Sequence, residues 1–436
     1  MPEFLRLSPP TEALQTFLSA LPNQKPIAEI IDTPDALGRV NAADILASHP
    51  LPEFPRSTVD GYAVRARNTF GASESLPCYQ TLIGEVPMGD APSFNLIPDT
   101  CAIIHTGGML PVGADAVVML ENTQSIRRVG QPPVPIVEIE ISRAIAEGEN
   151  VLRVGEDIAE DQIILAAGVR LRPVEIGGCM ALGIIQLRVV IKPRIGIISS
   201  GDEVVAPEKS PRPGQVRDVN SYSLAALIVE AGGTPALYGI VPDDLEAMKA
   251  TTAKALTECE AVVITAGSSA SARDMTAEAI GTLGAPGVLV HGINVRPGKP
   301  TILAVCGGKG VIGLPGNPVS ALVIAGLFVV PLIEKLLGQK VVRPRPSVSA
   351  RLTVNVPSQA GREDWVAVRL LHNHFISNPL SNSDGRRMMG EPVFLAEPIF
   401  AKSNLILAFA ASDGLVCIPP DATGISAGEV VEVVLM

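Results

Sequence analysis

Aromatic residues are scarce in this chain of 436 residues, at 3% with a single tryptophan. Apolar residues still make up 47%, so the cores must be built from Val, Ile, Leu and Ala, and the length predicts two to four domains. Basic residues are also in deficit, since 34 Lys and Arg against 45 Asp and Glu give a net charge of −11. This balance argues against a nucleic-acid surface, although a small site can still be locally positive.

Short cysteine spacings and long apolar runs are missing as well. The six cysteines form no Cys-x-x-Cys pattern, which excludes the usual zinc and redox motifs and favours buried thiols. The N-terminal residues lack a basic start followed by an apolar stretch, so we expect no signal peptide. The longest apolar run, 319–333, contains Pro331 and is shorter than a membrane span. These features predict a cytoplasmic protein without a membrane or nucleic-acid partner.

The pattern along the chain predicts four parts and an α/β multidomain fold. Residues 51–150 carry short Val and Ile runs between Pro and Gly, which indicates an inserted β domain. The flanking segments 1–50 and 151–191 contain helix-like periods such as "TEALQTFLSAL" and predict one discontinuous N-terminal helical domain, with "NAADILAS" expected as a short helix. Residues 192–342 alternate strand and helix, which predicts a doubly wound, mostly parallel sheet. Residues 343–436 predict a C-terminal β-barrel-like domain.

Ligands of doubly wound folds bind at the carboxyl ends of the strands, and the polar loops of this chain follow predicted strands. In "TAGSSASARDMTAEAI" small residues precede a helix, so backbone N–H groups could approach an anion. Ser268 and Ser269 add hydroxyls, Arg273 could hold phosphate, and Asp274 could hold a metal or a proton. A solvated turn with Asp274 as a helix cap explains the same residues.

Two further loops offer carboxylates and cations. In "SSGDEV", Asp202 and Glu203 follow a strand and a glycine, and Mg²⁺ is the cation that suits one or two carboxylates beside an anionic ligand. In "NVRPGKPTI", a turn between Arg296 and Lys299 could aim both at phosphate or at an oxyanion such as molybdate. Capping acids on a surface loop and solvated cations are the simpler explanations of the two patterns.

The stretch "GLPGNPVSA" interrupts the most apolar part of the chain. Pro315 and Asn317 lie in a turn, and Pro318 fits the first position of a helix, where its missing N–H costs nothing. Asn317 would then be the N-cap, and Ser320 lies within the first helical turn. The free N–H groups of that turn could face an anion, or the pattern could serve only to start the helix.

Taken together, these segments resemble the MoeA family of molybdopterin molybdenumtransferases, which includes the gephyrin E domain. The pieces "STVDGYAV", "HTGGMLPVGADAVVMLEN", "VGEDI", "SSGDEV", "RPGKP" and "GLPGNPVSA" occur in the family's order. The resemblance implies a homodimer whose active site is shared between chains. It also implies a Mg²⁺-dependent reaction in which molybdate and adenylylated molybdopterin give molybdenum cofactor and AMP. The partners it suggests are the adenylyltransferase and the molybdoenzyme apoproteins.

The resemblance also assigns site residues one position at a time. Glu203 and Asp274 are expected around magnesium, with Asp60 and Asp243 assisting substrate or cation binding, and Arg296, Lys299 and Ser320 as anion contacts. The complete set of positions that match family motifs is Asp60, Thr106, Asp157, Glu203, Asp243, Asp274, Arg296, Lys299, Pro315, Asn317, Pro318, Ser320, Lys402 and Ser403.

The chain departs from the family pattern at a few positions. Ala266 and Ser271 stand where the family's loop commonly has glycine, and Gly292 stands where a lysine is frequent. A glycine that needed positive φ or close ligand approach could not be replaced without cost. Two alternatives follow from the sequence: a molybdopterin adenylyltransferase-like enzyme, since "TAGSSASARDMT" resembles the loop of that family, and a non-catalytic, gephyrin-like scaffold.

Overall fold

The computed structural model describes residues 7–127, 137–266, 270–372 and 392–436, with the side chains of residues 127, 266 and 270–274 left outside that description. The chain begins with α1 (Pro10–Ala20), β1 (Ala28–Asp32) and β2 (Ile45–Leu46). Helix α1 has proline at its first position, where the missing N–H has no partner to lose.

The predicted inserted β domain follows. Its strands are β3 (Arg56–Ser57), β4 (Gly61–Val64), β5 (Cys78–Glu85), β6 (Thr100–Ile104), β7 (Ala116–Met119), β8 (Thr123–Arg127) and β9 (Val137–Ile141). Strands β4 to β9 form one curled sheet in the order β7-β4-β6-β5-β9-β8. Gly61 is required at the start of β4, because a Cβ there would overlap the Val118 carbonyl of the neighbouring strand. The residue that precedes it, Asp60, is therefore held at the end of a tightly packed strand.

The chain then returns to its N-terminal part with β10 (Val151–Leu152), β11 (Ile163–Leu165), α2 (Pro173–Ala181) and β12 (Gln186–Val190). Strand β1 pairs with β12 and β2 pairs with β11, both antiparallel. The two segments 1–50 and 151–191 thus come together, although strands and turns outnumber helices in them. The short helix expected at "NAADILAS" is wrong, because Ile45–Leu46 lies in β2 and its pairing with β11 outweighs a weak local helix propensity.

The α/β part carries the largest sheet. Its elements are β13 (Arg194–Ser200), β14 (Val204–Val205), β15 (Val216–Arg217), α3 (Asn220–Ala231), β16 (Thr234–Val241), α4 (Leu245–Glu258), β17 (Ala261–Ala266), α5 (Ala270–Gly281), β18 (Pro286–His291), β19 (Val295–Arg296), β20 (Ile302–Cys306), β21 (Lys309–Pro315), α6 (Pro318–Ile324), a π-helical turn (Ala325–Val329) and α7 (Val330–Leu336). The six-stranded sheet has the order β16-β13-β17-β21-β20-β18.

This sheet confirms the predicted doubly wound architecture. Strands β16, β13, β17 and β21 are parallel to one another. On one side of them β20 pairs antiparallel with β21, and β18 pairs antiparallel with β20. Helices α3, α6 and α7 bury their apolar side chains on one face, and α4 and α5 bury theirs on the other. The carboxyl ends of the four parallel strands therefore meet at one edge, which is where ligands bind in such folds.

The two ends of helix α3 are fixed by Gly232 and Asp218. Gly232 takes a left-handed φ of 98° at its C-terminus, as a C-terminal stop requires. Asn220 and Ser221 are residue types that favour the N-cap position, but both lie inside the helix. The Asp218 carboxylate instead accepts a 3.0 Å hydrogen bond from the Ser221 N–H. Asn220 is thereby left available for another contact at the sheet edge.

The helical stretch Pro318–Leu336 is longer than the apolar run suggested. It spans 19 residues with a mean hydropathy of 2.1, which passes a membrane-span test by length and composition alone. Its side chains Ala321, Ile324, Phe328 and Leu332 are fully buried in the largest core of the chain. The helix continues past Pro331 because that residue lies in the first turn of α7, next to the π-helical turn. We interpret this stretch as a core helix.

The C-terminal part consists of β22 (Ser347–Leu352), β23 (Val356–Pro357), β24 (Glu363–His372), β25 (Phe394–Pro398), α8 (Ile406–Ala410), β26 (Gly414–Ile418), β27 (Gly424–Ile425) and β28 (Val430–Leu435). Five of these strands close a barrel in the order β24-β25-β22-β28-β26, with β26 pairing back onto β24. The barrel confirms the β-barrel-like prediction. The short strand β19 of the α/β part adds to β24 in parallel.

Candidate functional site

Two of the predicted carboxylates lie at the carboxyl ends of neighbouring strands. Ser200, the last residue of β13, donates a 2.9 Å hydrogen bond to Oδ1 of Asp243, which follows β16. The Asp243 N–H donates to Oδ1 of Asp202 at 3.2 Å. Glu203 follows in the same loop and is half-buried. The parallel pairing of β13 and β16 thus brings the "SSGDEV" and "VPDD" loops together, as the sequence predicted for a shared edge.

The turn of "GLPGNPVSA" lies at the same edge. Pro315 ends β21 in register with Ala266 at the end of β17, so the loops after these two strands start side by side. Pro318 is the first residue of α6 and Asn317 occupies the N-cap position, as predicted. The Asn317 side chain makes no capping hydrogen bond, however, and its Nδ2 donates a 3.0 Å hydrogen bond to Ser403 Oγ of the barrel.

Ser403 makes a second contact to the same helix start. Its carbonyl accepts a 3.0 Å hydrogen bond from the N–H of Val319, one of the donors that have no partner within a helix. Lys402 precedes it and is exposed, whereas Ser320 is 4% exposed. The loop of Lys402 and Ser403 therefore closes one side of the site, which brings two residues of the C-terminal part to the sheet edge.

The predicted cation loop also lies between the α/β part and the barrel. Arg296 is in β19, and its Nη1 lies 3.7 Å from Oδ2 of Asp364 in β24. Lys299 is exposed three residues later. Gly298 has a φ of 118° and rests against Ile324 of α6, where a Cβ would overlap the isoleucine side chain. The turn thus packs against the last residue of α6. The following strand, β20, begins at Ile302 opposite Gly313 of β21, so the loop lies at the edge where β21 ends, although Arg296 leans towards the barrel.

The structure joins Asp60 and Thr106 at the tip of the β domain. Asp60 Oδ1 accepts hydrogen bonds from the Thr106 N–H at 2.8 Å and from its hydroxyl at 3.1 Å. These bonds, the backbone one first, lower the pKa of the Asp60 carboxyl below its ordinary value of 3.8. His105 Nδ1 lies 3.9 Å from the same oxygen, and its Nε2 lies 3.1 Å from Oε1 of Glu85. Asp157 is exposed in a separate turn, where its N–H bonds the Leu51 carbonyl.

Several predicted residues lie outside the described part of the chain. These are Ser268 and Ser269, together with the side chains of Arg273 and Asp274 on α5. The backbone there places Asp274 in the first two turns of α5, which starts at Ala270 and not after the loop as the sequence suggested. The side chains at Ala266 and Ser271, where the sequence departs from the family's glycines, are also outside the description.

Sequence reasoning missed two residues at this edge. Asn220 is 8% exposed, donates through Nδ2 to the Gly316 carbonyl at 2.8 Å, and has a buried Oδ1 without a hydrogen-bond partner. Asp364 is 3% exposed and lies between Arg296 and Arg362. A polar residue at a helix start signals only a cap, and an acid in a strand has no local signature. Neither could have been assigned a site from its neighbours in sequence.

The donor chemistry of this edge suits a hard cation. Glu203 and Asp243 offer carboxylate oxygens from adjacent loops, and Mg²⁺ commonly takes one or two carboxylates and completes its shell with ligand oxygens and water. Among the described residues no group of three His, Cys, Asp or Glu side chains has the geometry to hold a metal by itself. A divalent ion held by these described residues would therefore depend on oxygen atoms of a bound substrate.

The fold and this edge together define an α/β protein in which charged and polar loops gather where a doubly wound domain meets a small barrel. Three family models match the chain: "MoeA N-terminal region (domain I and II)" at residues 8–183, "Probable molybdopterin binding domain" at residues 196–335, and "MoeA C-terminal region (domain IV)" at residues 385–436. The second and third matches leave residues 336–384 between them.

Individual relatives agree with the family models. The molybdopterin molybdenumtransferase of Bacillus subtilis is 30% identical, with 92% of this chain and 88% of that protein aligned. Molybdopterin molybdenumtransferase 2 of Mycobacterium tuberculosis is 30% identical over 91% of this chain and 92% of its own. The crystal structure of a molybdopterin biosynthesis MoeA protein from Pyrococcus horikoshii is 31% identical, with a TM-score of 0.79 over 99% of this chain and 100% of that chain. This chain belongs to the MoeA family.

Proposed function

We propose that this protein is a molybdopterin molybdenumtransferase of molybdenum cofactor biosynthesis. It would take molybdate and adenylylated molybdopterin, insert the metal at the dithiolene and release AMP. The observation that carries this proposal is the convergence at one edge of loops with opposite charge. The acids Glu203 and Asp243 follow β13 and β16, while Arg296 and Lys299 precede β20, whose first residue pairs with Gly313 near the end of β21. Such an arrangement can hold a cation and an oxyanion against one substrate.

The side chains divide into two roles by charge. Arg296 and Lys299 would hold molybdate, since a guanidinium offers paired donors and an ammonium a point charge. Pro315, Asn317, Pro318 and Ser320, at the end of β21 and the start of α6, would line the oxyanion site from the α/β part. Ser268, Ser269 and Arg273 would contact the phosphate, with Lys402 and Ser403 closing the site from the barrel. Asp157 would contact the substrate from the N-terminal part.

Magnesium is part of this proposal. Glu203 and Asp274 would hold the ion, with Asp243 beside them, and bound Mg²⁺ would neutralise charge on the phosphate oxygens during loss of AMP. The hydrogen bonds from Ser200 to Asp243 and from Asp243 to Asp202 fix these loops relative to each other before any ligand arrives. Preformed loops reduce the reorganisation needed at the reaction step.

We further propose a homodimer with an active site shared between chains. Apolar side chains are exposed on the N-terminal part, with Ile27 75%, Ile30 68% and Ile185 66% exposed. Val229 on α3 and Leu237 on the edge strand β16 are also more than half exposed. Contiguous exposed apolar side chains mark interfaces, and these residues are our candidates for one. A partner chain docked there could bring its Asp60 and Thr106 to this edge.

The proposed location is the cytoplasm, where the adenylyltransferase and molybdoenzyme apoproteins would be partners.

The test is an insertion assay with the full chain, molybdate, Mg²⁺ and adenylylated molybdopterin, in which AMP release and cofactor formation are measured. We expect Glu203→Gln and Asp274→Asn each to abolish both products while the circular dichroism and the oligomeric state stay unchanged. Glu208→Gln, an exposed carboxylate further along the same loop, is the matched control and should keep activity. A fully active Glu203→Gln or Asp274→Asn variant would remove that residue from the proposed magnesium site.

A second measurement separates this reaction from adenylate transfer. The protein is incubated with ATP and molybdopterin but without molybdate, and adenylylated molybdopterin is quantified. The proposed function predicts none. Its accumulation would identify the chain as an adenylyltransferase-like enzyme, whereas a well-folded chain that fails both assays and does not restore molybdoenzyme activity in cells lacking the insertase would point to a scaffold.

A further inference from the structure

A buried carboxylate lies between two arginines where the α/β part meets the barrel. Asp364, the second residue of β24, is 3% exposed. Arg362 donates to it through Nε at 2.6 Å and through Nη2 at 3.0 Å, which engages both carboxylate oxygens. Arg296 approaches the same carboxylate from β19, with its Nη1 3.7 Å from Oδ2. A single negative charge is thus shared by two positive ones.

The backbone fixes this arrangement. Arg296 and Asp364 are directly paired residues of the parallel β19–β24 ladder, and the Glu363 N–H bonds the Asn294 carbonyl at 3.1 Å. The side chain of Arg296 is nonetheless 65% exposed, so it can turn away from the barrel without moving the strand. Glu363, the neighbouring acid, bonds Trp365 Nε1 at 2.7 Å instead. The strand pairing therefore places Asp364 next to Arg296, so their contact does not depend only on the positions of mobile surface side chains.

The two contacts of Asp364 differ in strength. The Arg362 contact has the two short bonds of a charge-assisted pair, whereas 3.7 Å is longer than the hydrogen bonds such pairs form. Arg362 bonds each carboxylate oxygen once, and Arg296, at 3.7 Å, is held by charge attraction without a short hydrogen bond. A tetrahedral oxyanion that offers free oxygens would give Arg296 the geometry that Asp364 does not.

We propose that Asp364 is a positioning residue that holds Arg296 in the empty site and competes with the incoming oxyanion for it. The proposal rests on the function proposed above, because that function assigns Arg296 to molybdate. Two arginines around one aspartate leave a net positive charge, and Lys299 adds another nearby, so the junction stays attractive to an anion in an acidic chain. The carboxylate lowers the affinity for the oxyanion and keeps Arg296 directed to the junction until the oxyanion arrives.

The experiment measures binding of molybdate alone to the full chain by isothermal titration calorimetry, with sulfate as a second tetrahedral probe. Asp364→Asn keeps the size of the side chain and removes its charge. We expect it to lower the molybdate Kd about two- to fivefold, the range of a partly exposed charge pair. In the insertion assay the molybdate KM should fall by the same factor with kcat unchanged. Glu363→Gln, which removes the neighbouring charge, should leave both values as in the wild type.

A double-mutant cycle tests whether the effect passes through Arg296. In an Arg296→Ala background, Asp364→Asn should no longer change the molybdate Kd. An unchanged or higher Kd for a folded Asp364→Asn variant with Arg296 present would overturn the proposal, and so would a gain that persists without Arg296. If Asp364→Asn fails to fold, Asp364→Ser supplies the same comparison with a smaller neutral side chain. A wild-type chain that binds no molybdate would instead refute the role of Arg296 in the proposed function, on which this inference depends.

Discussion

Thr106 fixes the position of the Asp60 carboxylate and favours its ionised form. The N–H and the hydroxyl of Thr106 both bond the same oxygen, Oδ1, so the position of the carboxyl group is fixed and the ionised form is favoured. The pKa of Asp60 lies below its ordinary value chiefly because of these bonds. An acid that stays ionised can bind a donor or a cation from a partner chain at any pH near neutrality.

Replacing Thr106 tests whether its hydrogen bonds lower the pKa of Asp60. Thr106→Val removes the hydroxyl donor and keeps the backbone N–H, so the pKa of Asp60 should rise towards 3.8 without reaching it. Because the folded pKa is lowered, the stabilising effect of this carboxylate is present above the unfolded pKa and is lost as the pH falls through the folded pKa. NMR titration of the Asp60 side chain in the wild type and in Thr106→Val measures the shift. An identical titration midpoint in both proteins would contradict the assigned cause.

Asn317 and Asn220 show that the residue type alone does not decide whether an asparagine caps a helix. Both are residues that normally cap helices, and neither makes a capping bond. Asn317 bonds Ser403 of the barrel, and Asn220 bonds the Gly316 carbonyl. The two amides thus fix the "GLPGNPVSA" turn from both sides. The choice between a cap and a tertiary bond depends on which partner the fold brings within 3 Å, and that partner is distant in sequence.

At the scale of elements, the cation loop depends on its contact with α6. Gly298 has a φ of 118°, and a Cβ there would overlap Ile324, whose side chain is fully buried. The loop that carries Arg296 and Lys299 can therefore lie on the helix only with glycine at this position. The positive φ of residue 298 and its close approach to Ile324 both require glycine at this position.

Gly298→Ala should lower the free energy of unfolding by about 3 kcal/mol, from overpacking and from the unfavourable φ. Gly71→Ala is the matched control, because Gly71 has a φ of 86° and open space around the added Cβ. That variant should lose only about 1 kcal/mol, the conformational part alone. Urea unfolding of the two variants provides the comparison. Equal losses would show that the contact with Ile324 does not restrict position 298.

On the scale of the whole molecule, the first helix belongs to a core that its sequence position does not suggest. Ala13 and Phe17 of α1 are buried with Ile197 of β13, Ile312 of β21 and Phe328 of the π-helical turn. The N-terminal segment thus completes one face of the α/β sheet, and the predicted parts share a core. Stability of the site should depend on a helix more than 170 residues before it.

Phe17→Ala should destabilise the α/β part by about 3–5 kcal/mol, since Phe17 is fully buried and a cavity would remain. Phe70→Ala removes an equal side chain that is 68% exposed in the β domain, and its effect should stay within about 0.5 kcal/mol. Hydrogen exchange of the β13 and β17 amides measures the loss where it is expected. Unchanged protection in Phe17→Ala would mean that α1 does not stabilise this sheet.

The sequence by itself determined the alternation of the α/β part, the inserted β domain and the barrel, because periodic burial and turn residues are local signals. It also placed Asp243, Glu203 and the "GLPGNPVSA" turn at strand ends, and parallel strands bring their carboxyl ends to one edge. Only the tertiary structure decided that Ile45–Leu46 is a strand, that α1 fills the α/β core, and that Asp364 faces Arg296. Each of these depends on a partner far away in the chain, and its energy comes from burial or pairing that no short stretch of residues can report.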